Sequence, residues 1–271
     1  MVWLTWRQHR AHALVTVALI VAIALSLVLA ELPRDLVKAL PVVPVFVGLF
    51  WGVPLLSTEY ERGTHRLVWT QSVSRARWLF VKVTALGVAV TVAGLGFGAV
   101  VLAWTETPDA PIDRFTGEVF GVTGVAAGAW FLAVFALGAA AGAVLRRMLP
   151  AMAVTIAVFA ALVIGAYVAR DHYAEPLVAL SGEPPPPGAL VTGMGVVGAD
   201  GDRLTWRAAL DMCPGPDPVA CMEDRGYVRQ YTEYQPADRY WRFQWTETGL
   251  LLLITIALTG VAAHQVVRRS R

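Results

Sequence analysis

Charged residues are scarce in this sequence. They make up 15% of its 271 residues, whereas hydrophobic residues make up 56%, and the mean hydropathy is +0.57. Soluble globular proteins are usually about 45–50% apolar and about 25% charged. The composition therefore excludes a wholly soluble protein. The formal net charge of only +2, without a basic cluster interleaved with aromatic residues, also argues against a nucleic acid as partner.

The sequence also lacks the motifs of common catalytic sites. It contains no H-E-x-x-H, no G-x-S-x-G and no G-x-x-x-x-G-K-[ST] phosphate loop. The pair His9/His12 is more typical of a surface than of a metal site, because no further ligand lies near it in the sequence. The remaining histidines, His65, His172 and His264, are scattered. We therefore predict no enzyme activity, no metal site and no cofactor bound by this chain.

Long apolar runs dominate instead. About 20 apolar residues are enough to cross a bilayer as a helix. The second of six such runs contains Pro41, Pro44 and Pro54, which predict a kinked or partly unwound helix. We predict an all-α integral membrane fold with six transmembrane helices. The runs, none of which contains Asp, Glu, Lys or Arg, are roughly Ala11–Ala30, Ala39–Leu56, Val83–Trp104, Val119–Leu145, Met148–Ala169 and Thr248–Val267.

The basic residues orient these helices, because Lys and Arg in short loops concentrate on the cytoplasmic side. With the N-terminus inside, the short outer loops carry only Arg34, Lys38 and Arg114. We therefore predict that both termini face the cytoplasm. The inner segments then carry Arg7, Arg10, Arg62, Arg66, Arg75, Arg77, Lys82, Arg146, Arg147, Arg268, Arg269 and Arg271.

The first ten residues, MVWLTWRQHR, do not resemble a cleaved signal peptide, because the apolar run that follows them is long and ends without a small-residue cleavage site. Trp3 and Trp6 are three residues apart, a spacing that places both on one face of a helix. They indicate either an N-terminal interfacial helix, which we include in the predicted fold, or ordinary flanking of the first span.

A large polar segment, residues 170–246, separates the fifth and sixth apolar runs. It contains the proline run EPPPPG and both cysteines of the chain. Cys213 and Cys221 are eight residues apart, so we predict a local disulfide on an oxidising side of the membrane; two unpaired thiols are the alternative. Near the end of the segment, Tyr240, Trp241, Phe243 and Trp245 are typical of an interfacial aromatic belt.

These patterns divide the chain into three predicted parts. Residues 1–169 hold the interfacial helix and the first five spans, and residues 247–271 hold the sixth span and a cytoplasmic tail. Between them, residues 170–246 form a large extracytoplasmic loop domain, which is long enough for a small lid of short helices.

The apolar runs themselves predict close packing. Gly94–Gly98, Gly124–Gly128 and Gly138–Gly142 have the small-xxx-small spacing that lets helix backbones approach, either within one bundle or between subunits. The predicted spans contain no acidic residue, and Glu118 and Glu247 lie at span ends. Ion-driven carriers usually need ionisable groups near the middle of the membrane, so an ion-coupled carrier is disfavoured.

Charge is concentrated in the segment LLSTEYERGTHRLVWTQSVSRARWLF, residues 55–80. Thr58 and Glu61 match the [ST]-x-x-[DE] capping box, and Glu59 in the same turn suits the positive end of a helix dipole. Gly63 is suited to closing such a helix. We therefore predict a short capped helix at about residues 57–77, on the cytoplasmic side, that serves as a docking surface. A simple cytoplasmic loop is the alternative.

The next helix is predicted to begin at Ser72 or Ser74, whose side chains can cap it. Trp78 would then lie at the membrane interface as the third span begins.

Two of these segments carry a family resemblance. STEYERGTHRLVWTQSVSRARWLFVK and, before the last span, YQPADRYWRFQW resemble permeases of the type 2 ATP-binding-cassette (ABC) exporter class, especially actinobacterial members. The E-x-x-x-G-T element is present as Glu59, Gly63 and Thr64. The plan of six spans with a large outer loop before the sixth also agrees. The first outer loop, ELPRDLVKAL, is shorter than the resemblance leads us to expect.

The resemblance implies a permease subunit in a bacterial plasma membrane. In that family the loop between the second and third spans is a coupling helix that contacts a separate ATPase subunit, which binds ATP and Mg. A working exporter contains two ATPase subunits and a second permease, either a copy or a paralogue. By resemblance, Glu59 anchors the coupling helix. The other residues assigned to ATPase coupling are Glu61, Arg62, Gly63, Thr64, Arg66 and Arg75.

The spans without charge indicate a hydrophobic or amphipathic substrate. Two alternatives stay open. One is a membrane sensor or scaffold that has the fold but transports nothing, and the other is a secondary carrier or channel that works without an ATPase. The ratio of twenty arginines to two lysines fits a bacterial genome of high GC content.

Overall fold

The computed structural model describes residues 37–61, 74–107, 112–181 and 183–268, together with Ala22 and Ser26. The chain divides into two compact units. We call them the helical unit, which holds residues 1–114, 118–166 and 244–271, and the sheet unit, which holds residues 115–117 and 167–243. The predicted first span and the interfacial helix with Trp3 and Trp6 lie outside the described residues.

Among the described residues, five helices are long and apolar enough to cross a membrane, and they coincide with the second to sixth predicted runs. A mostly helical membrane protein is thereby confirmed. The last helix begins eight residues before the predicted start at Thr248, because the polar residues that precede the apolar run are helical as well. The five are α1 (Leu40–Glu61), α2 (Arg75–Thr105), α3 (Gly124–Leu145), α4 (Met148–Arg170) and α7 (Tyr240–Arg268).

Helix α1 is a composite of different helix types. The backbone N–H of Val53 donates to the Gly48 carbonyl five residues back, so this part is a π turn. Pro54 follows directly, where the wider turn accommodates a residue that has no backbone N–H. The irregularity predicted from the prolines is thus a π turn inside a continuous helix. In order, α1 contains a 3-10 turn (Leu40–Val42), an α segment (Val43–Val47), the π turn (Gly48–Gly52) and an α segment (Val53–Glu61).

Helix α3 is the central helix of the helical unit. Of its most apolar stretch, 83% is buried, against 17% for α4 and 22% for α7. Its glycines allow this burial: a Cβ on Gly142 would lie 2.6 Å from the Val53 carbonyl oxygen of α1. On the α2 side, a Cβ on Gly98 would lie 2.6 Å from the Gly124 carbonyl oxygen. The predicted glycine pairs therefore pack helices within the chain.

The sheet unit contains four antiparallel strands in the order β1-β4-β2-β3. The predicted lid of short helices is corrected accordingly, and the chain is mostly helical rather than all-α. The strands are rich in Val, Thr and Tyr, which favour extended backbone, but their pairing partners are remote in sequence. The elements are β1 (Leu177–Leu180), β2 (Leu190–Gly198), β3 (Arg203–Thr205), α5 (Trp206–Met212), α6 (Pro218–Asp224) and β4 (Tyr227–Gln235).

The two short helices of the sheet unit are joined by a disulfide between Cys213 and Cys221, whose Cα atoms are 5.9 Å apart. Cys213 is buried in a small apolar cluster with Val196, Ala209 and Met222. The bond therefore holds α5 and α6 together where they cover part of the sheet.

At the centre of the sheet, burial raises the pKa of the Tyr231 hydroxyl. The nearby Glu233 carboxylate raises this pKa further, whereas Arg203, whose guanidinium carbon lies 5.6 Å from the ring centroid, lowers it. The hydroxyl of Tyr231 is therefore neutral at physiological pH.

The aromatic residues before the apolar part of α7 divide into two groups. Tyr240 and Phe243 are fully buried in the sheet unit, where both rings meet the Phe115 ring edge to face at 5.8 and 5.2 Å. Trp241 and Trp245 are exposed. The predicted aromatic belt is therefore corrected for Tyr240 and Phe243, which serve as core residues, and stays a prediction for the two tryptophans.

Candidate functional site at the end of helix α1

The last turns of α1 carry the residues predicted to begin a separate capped helix. Thr58 lies inside α1, and its hydroxyl donates to the Pro54 carbonyl oxygen at 2.6 Å. A threonine hydroxyl within a helix commonly bonds to the carbonyl four residues back. The predicted capping box of Thr58 and Glu61 is therefore wrong, because the helix that contains them starts earlier in the chain. It continues to Glu61 instead of ending at Leu56.

Glu59 is held by helix α2. Its carboxylate forms an ion pair with the Lys82 ammonium at 2.9 Å, and both side chains are largely shielded, with exposed fractions of 17% and 9%. The Lys82 ammonium also lies 4.4 Å from the Trp78 ring centroid, within the range of a cation–π interaction. Trp78 is buried in the apolar core, whereas we predicted it at the membrane interface.

Tyr60 meets the end of α3. The guanidinium carbon of Arg146 lies 5.1 Å from the centroid of the Tyr60 ring. Arg146 is the C-cap residue of α3 and has a φ of 55°, the left-handed conformation that commonly ends helices. The chain turns sharply here, and the arginine side chain at this turn reaches back to α1.

Glu61 is bound to the start of α4. Its carboxylate accepts a hydrogen bond of 2.8 Å from the backbone N–H of Met148, the first residue of that helix, 87 positions along the chain. The first N–H groups of a helix have no partner within it, and a negative charge there interacts favourably with the helix dipole. Glu61, predicted to contact an ATPase, thus has a partner inside its own chain.

Three consecutive residues of α1 therefore contact three different helices. Each residue of an α-helix points about 100° away from its predecessor, so Glu59, Tyr60 and Glu61 reach in separate directions. Any displacement of the end of α1 acts on α2, α3 and α4 together. We call this set of contacts the α1 junction; its members are Glu59 with Lys82, Tyr60 with Arg146, and Glu61 with the Met148 N–H.

Most of the remaining residues predicted for ATPase coupling, Arg62, Gly63, Thr64 and Arg66, lie outside the described residues. Arg75 is the first residue of α2, but its side chain is not among those described. Ser74 caps α2 by accepting a hydrogen bond from the Arg77 N–H at 3.4 Å, so the predicted start at Ser72 or Ser74 is confirmed at Ser74. The two ends of the predicted helix at 57–77 belong instead to α1 and α2.

A second set of buried polar residues lies in the helical unit and is not among the predicted site residues. Gln244 and Glu247 are buried inside α7, although Glu247 was predicted to lie at a span end. The available signal is the helical spacing of Gln244, Glu247, Leu251 and Thr255, all of which are buried. Within the described part of the chain, no group of three or more His, Cys, Asp or Glu side chains is arranged to hold a metal ion.

Membrane-length apolar helices packed through glycines, with a charged junction at one end of the bundle, define an integral membrane protein. Residues 30–170, more than half of the chain, match the family model described as ABC-2 membrane transporter related. The chain belongs to this family. The matched residues include α1 to α4 and the whole α1 junction. No curated protein and no solved structure matches the chain.

Proposed function

We propose that this chain is the membrane-spanning permease subunit of an ATP-binding-cassette exporter, driven by a separate ATPase subunit. Membership of the ABC-2 family supports a permease. The α1 junction carries the proposal further, because it distributes a force on the end of α1 to three other helices. A chain without a phosphate loop needs such a contact point, through which a separate ATPase subunit can move its helices.

The proposed orientation places the α1 junction in the cytoplasm. Arg77, Arg146 and Arg147 lie at the same end of the helical unit as the junction, and basic residues favour the cytoplasmic side. Both termini are then cytoplasmic, in a bacterial plasma membrane. The sheet unit is extracytoplasmic, where the disulfide between Cys213 and Cys221 is stable to reduction.

In the proposed cycle, ATP binding closes two ATPase subunits against a pair of permeases, which are two copies of this chain or this chain and a paralogue. Arg62, Gly63, Thr64, Arg66 and Arg75 contact the ATPase. The force then passes along the chain to the end of α1. There Glu59 pulls on α2 and Glu61 on α4, so the helices tilt together and open a path for a hydrophobic or amphipathic substrate.

The decisive test is purification of the full-length chain from its native membrane, followed by assay of ATP hydrolysis. We expect a P-loop ATPase to copurify, and Glu59→Ala and Arg66→Glu to reduce coupled hydrolysis without loss of membrane insertion. Glu106→Ala is a matched control, because Glu106 forms an exposed ion pair at the other end of α2. Purification without any ATPase, or normal coupling in both variants, would contradict the proposal.

The same preparation tests the alternatives. If the chain purified without an ATPase moves a solute down an ion gradient after reconstitution, it is a secondary carrier. If it neither moves a solute nor recruits an ATPase, the sensor or scaffold function is favoured.

A further inference from the structure

The end of the helical unit opposite the α1 junction contains a polar contact between α3 and α7. Helix α3 begins without a cap from its own N-cap residue: the Thr123 side chain donates to the Phe120 carbonyl oxygen instead. The cap comes from α7, where the Gln244 side-chain oxygen accepts a hydrogen bond of 2.8 Å from the Ala126 N–H, 118 positions away. The start of α3 thus depends on the position of α7.

Two further hydrogen bonds complete this contact. The Gln244 side-chain nitrogen donates to the Phe120 carbonyl oxygen at 2.9 Å. One turn along α7, the Glu247 carboxylate accepts from the Trp130 indole N–H at 2.7 Å. Gln244 and Glu247 are 0% and 1% exposed, so water does not compete for these bonds. We call this set the α7 latch: Gln244 and Glu247 of α7 with Phe120, Ala126 and Trp130.

Beyond the latch, much of α7 is exposed in the described part of the structure. Only 22% of its most apolar stretch is buried, and among the described residues its backbone approaches no other helix as closely as α1 and α2 approach α3. A Cβ added to Gly249 or Gly260 of α7 would meet nothing within 4 Å. Its buried side chains below the latch, such as Leu251, make apolar contacts, which are not directional and permit sliding. The latch therefore fixes the position of α7 along α3.

Helix α3 connects the latch to the α1 junction. It has 22 residues, a length of about 33 Å, and it is capped by Gln244 at its start and ends at Arg146, which meets Tyr60. A tilt imposed through Arg146 moves Ala126 and Trp130 relative to α7. The N–H of Ala126 belongs to the first turn of the helix, where no carbonyl of the same helix can accept from it. Gln244 can therefore release Ala126 without breaking any hydrogen bond within α3.

We propose that opening of the α7 latch is the conformational step that opens the outer half of the permease, and that Gln244 and Glu247 are positioning residues for it. This inference rests on the proposed exporter function and adds the element that moves. A latch that opens in every cycle must be able to separate, whereas a purely structural contact remains closed throughout. Locking the contact distinguishes the two.

The test uses the complex with its copurified ATPase, reconstituted in liposomes. The double variant Trp130→Cys/Glu247→Cys is treated with a photocleavable bifunctional thiol reagent, and the cross-link is identified by peptide mass spectrometry. We expect ATP hydrolysis to fall at least tenfold on cross-linking and to recover on photolysis. Each single-cysteine variant should hydrolyse ATP at the same rate before and after identical treatment with the reagent. An unchanged rate in the cross-linked complex would overturn the proposal.

A milder pair of variants tests the hydrogen bond itself. Glu247→Gln keeps an oxygen acceptor for the indole N–H and should change the rate of hydrolysis less than twofold. Trp130→Phe removes the donor but keeps a ring against Phe159, which the indole meets edge to face at 6.0 Å. We expect this variant to raise ATP hydrolysis severalfold without substrate, since the latch opens more readily. Equal rates in Trp130→Phe and wild type would count against the latch.

The outcomes separate this inference from the function on which it rests. If no ATPase copurifies, the exporter proposal and the latch step fail together. If the complex hydrolyses ATP at the same rate with and without the cross-link, only the latch step fails.

Discussion

The two ion pairs Glu59–Lys82 and Glu106–Arg114 have nearly the same length, 2.9 and 2.8 Å, but different surroundings. In the first, the side chains are 17% and 9% exposed; in the second, they are 54% and 35% exposed. Exposed pairs contribute little because water and salt screen them, whereas removing one member of a shielded pair leaves the other charge without compensation. Two ion pairs of similar length are therefore expected to contribute differently at the two ends of α2.

We predict that Glu59→Ala lowers the free energy of unfolding by about 1–3 kcal/mol, because Lys82 stays shielded above Trp78 without its carboxylate. Glu106→Ala should lower it by less than about 1 kcal/mol. Unfolding of the detergent-solubilised protein by denaturant, followed by tryptophan fluorescence, measures both. Equal losses in the two variants would show that the shielding of Glu59 has no energetic role.

Glu61 offers a test of the cap on α4. Glu61→Ala removes the acceptor of the Met148 N–H and should lower the free energy of unfolding by about 0.5–2 kcal/mol, as for other N-cap losses. Glu61→Gln keeps an oxygen acceptor and should recover about half of that loss or more. Thermal unfolding of both variants gives the comparison. A Gln variant as unstable as the Ala variant would mean that the charge, and not the cap, is what matters.

At this scale the sequence predicts some contacts and misleads on others. The prediction that Ser74 caps α2 is correct, because Ser74 itself has an extended backbone and directly precedes the helix. Thr58 has an equally good local pattern but follows a helix that has already begun, which four residues of sequence cannot reveal. The partners of Glu61 and Gln244 are 87 and 118 positions away, so no local pattern predicts them.

Where two helices of the helical unit pack closely at a glycine, an added methyl group would meet the backbone of the neighbouring helix. A Cβ on Gly142 would lie 2.6 Å from the carbonyl oxygen of Val53, a backbone atom that cannot move without shifting α1. A Cβ on Gly96 of α2 would meet nothing within 4 Å. Two glycines in membrane-length helices therefore differ only in what lies opposite them.

We predict that Gly142→Ala lowers the free energy of unfolding by about 1–3 kcal/mol through overpacking. Gly96→Ala should leave it unchanged or raise it by up to about 1 kcal/mol, because alanine favours a helix more than glycine does. Denaturant unfolding under the same conditions compares them. The close packing of α1 on α3 would be disproved by a Gly142→Ala variant as stable as wild type.

The elements themselves are predictable to different degrees. Each of the five long helices has a continuous apolar run, a local property, and the sequence locates all of them. The strands β2 and β4 are nine residues each, and they pair across about thirty intervening positions that include α5 and α6. Their side chains alternate only imperfectly because a bulge between Val191 and Gly193 shifts the register. The sheet was therefore missed.

At the scale of the whole molecule, the two units are stabilised in different ways. The helical unit relies on helix packing through glycines, while the smaller sheet unit is cross-linked by Cys213–Cys221. Closing a loop of this length stabilises a fold by about 2–3 kcal/mol, mainly by restricting the unfolded chain. The two units should therefore respond differently to a reductant.

We predict that Cys213→Ala/Cys221→Ala, or reduction of the wild type, makes the sheet unit susceptible to trypsin at Arg203, Arg207 and Arg225 while the helices stay protected. Limited proteolysis with peptide mass spectrometry measures the difference. Adding reductant to the double variant is the control, and it should have no further effect. Cleavage that spreads equally through both units would contradict their independent stabilisation.

The π turn at Gly48–Gly52 restricts how α1 can vary in length. An insertion between Gly52 and Glu59 would rotate all three junction residues by about 100°, so each would face away from its partner. Deleting one residue within the π turn would instead convert it to an ordinary α turn. The side chains of α1 beyond the turn, including those of the junction, would keep their directions. Single-residue deletions in homologous chains should therefore fall inside this five-residue window, where they leave the junction residues facing their partners.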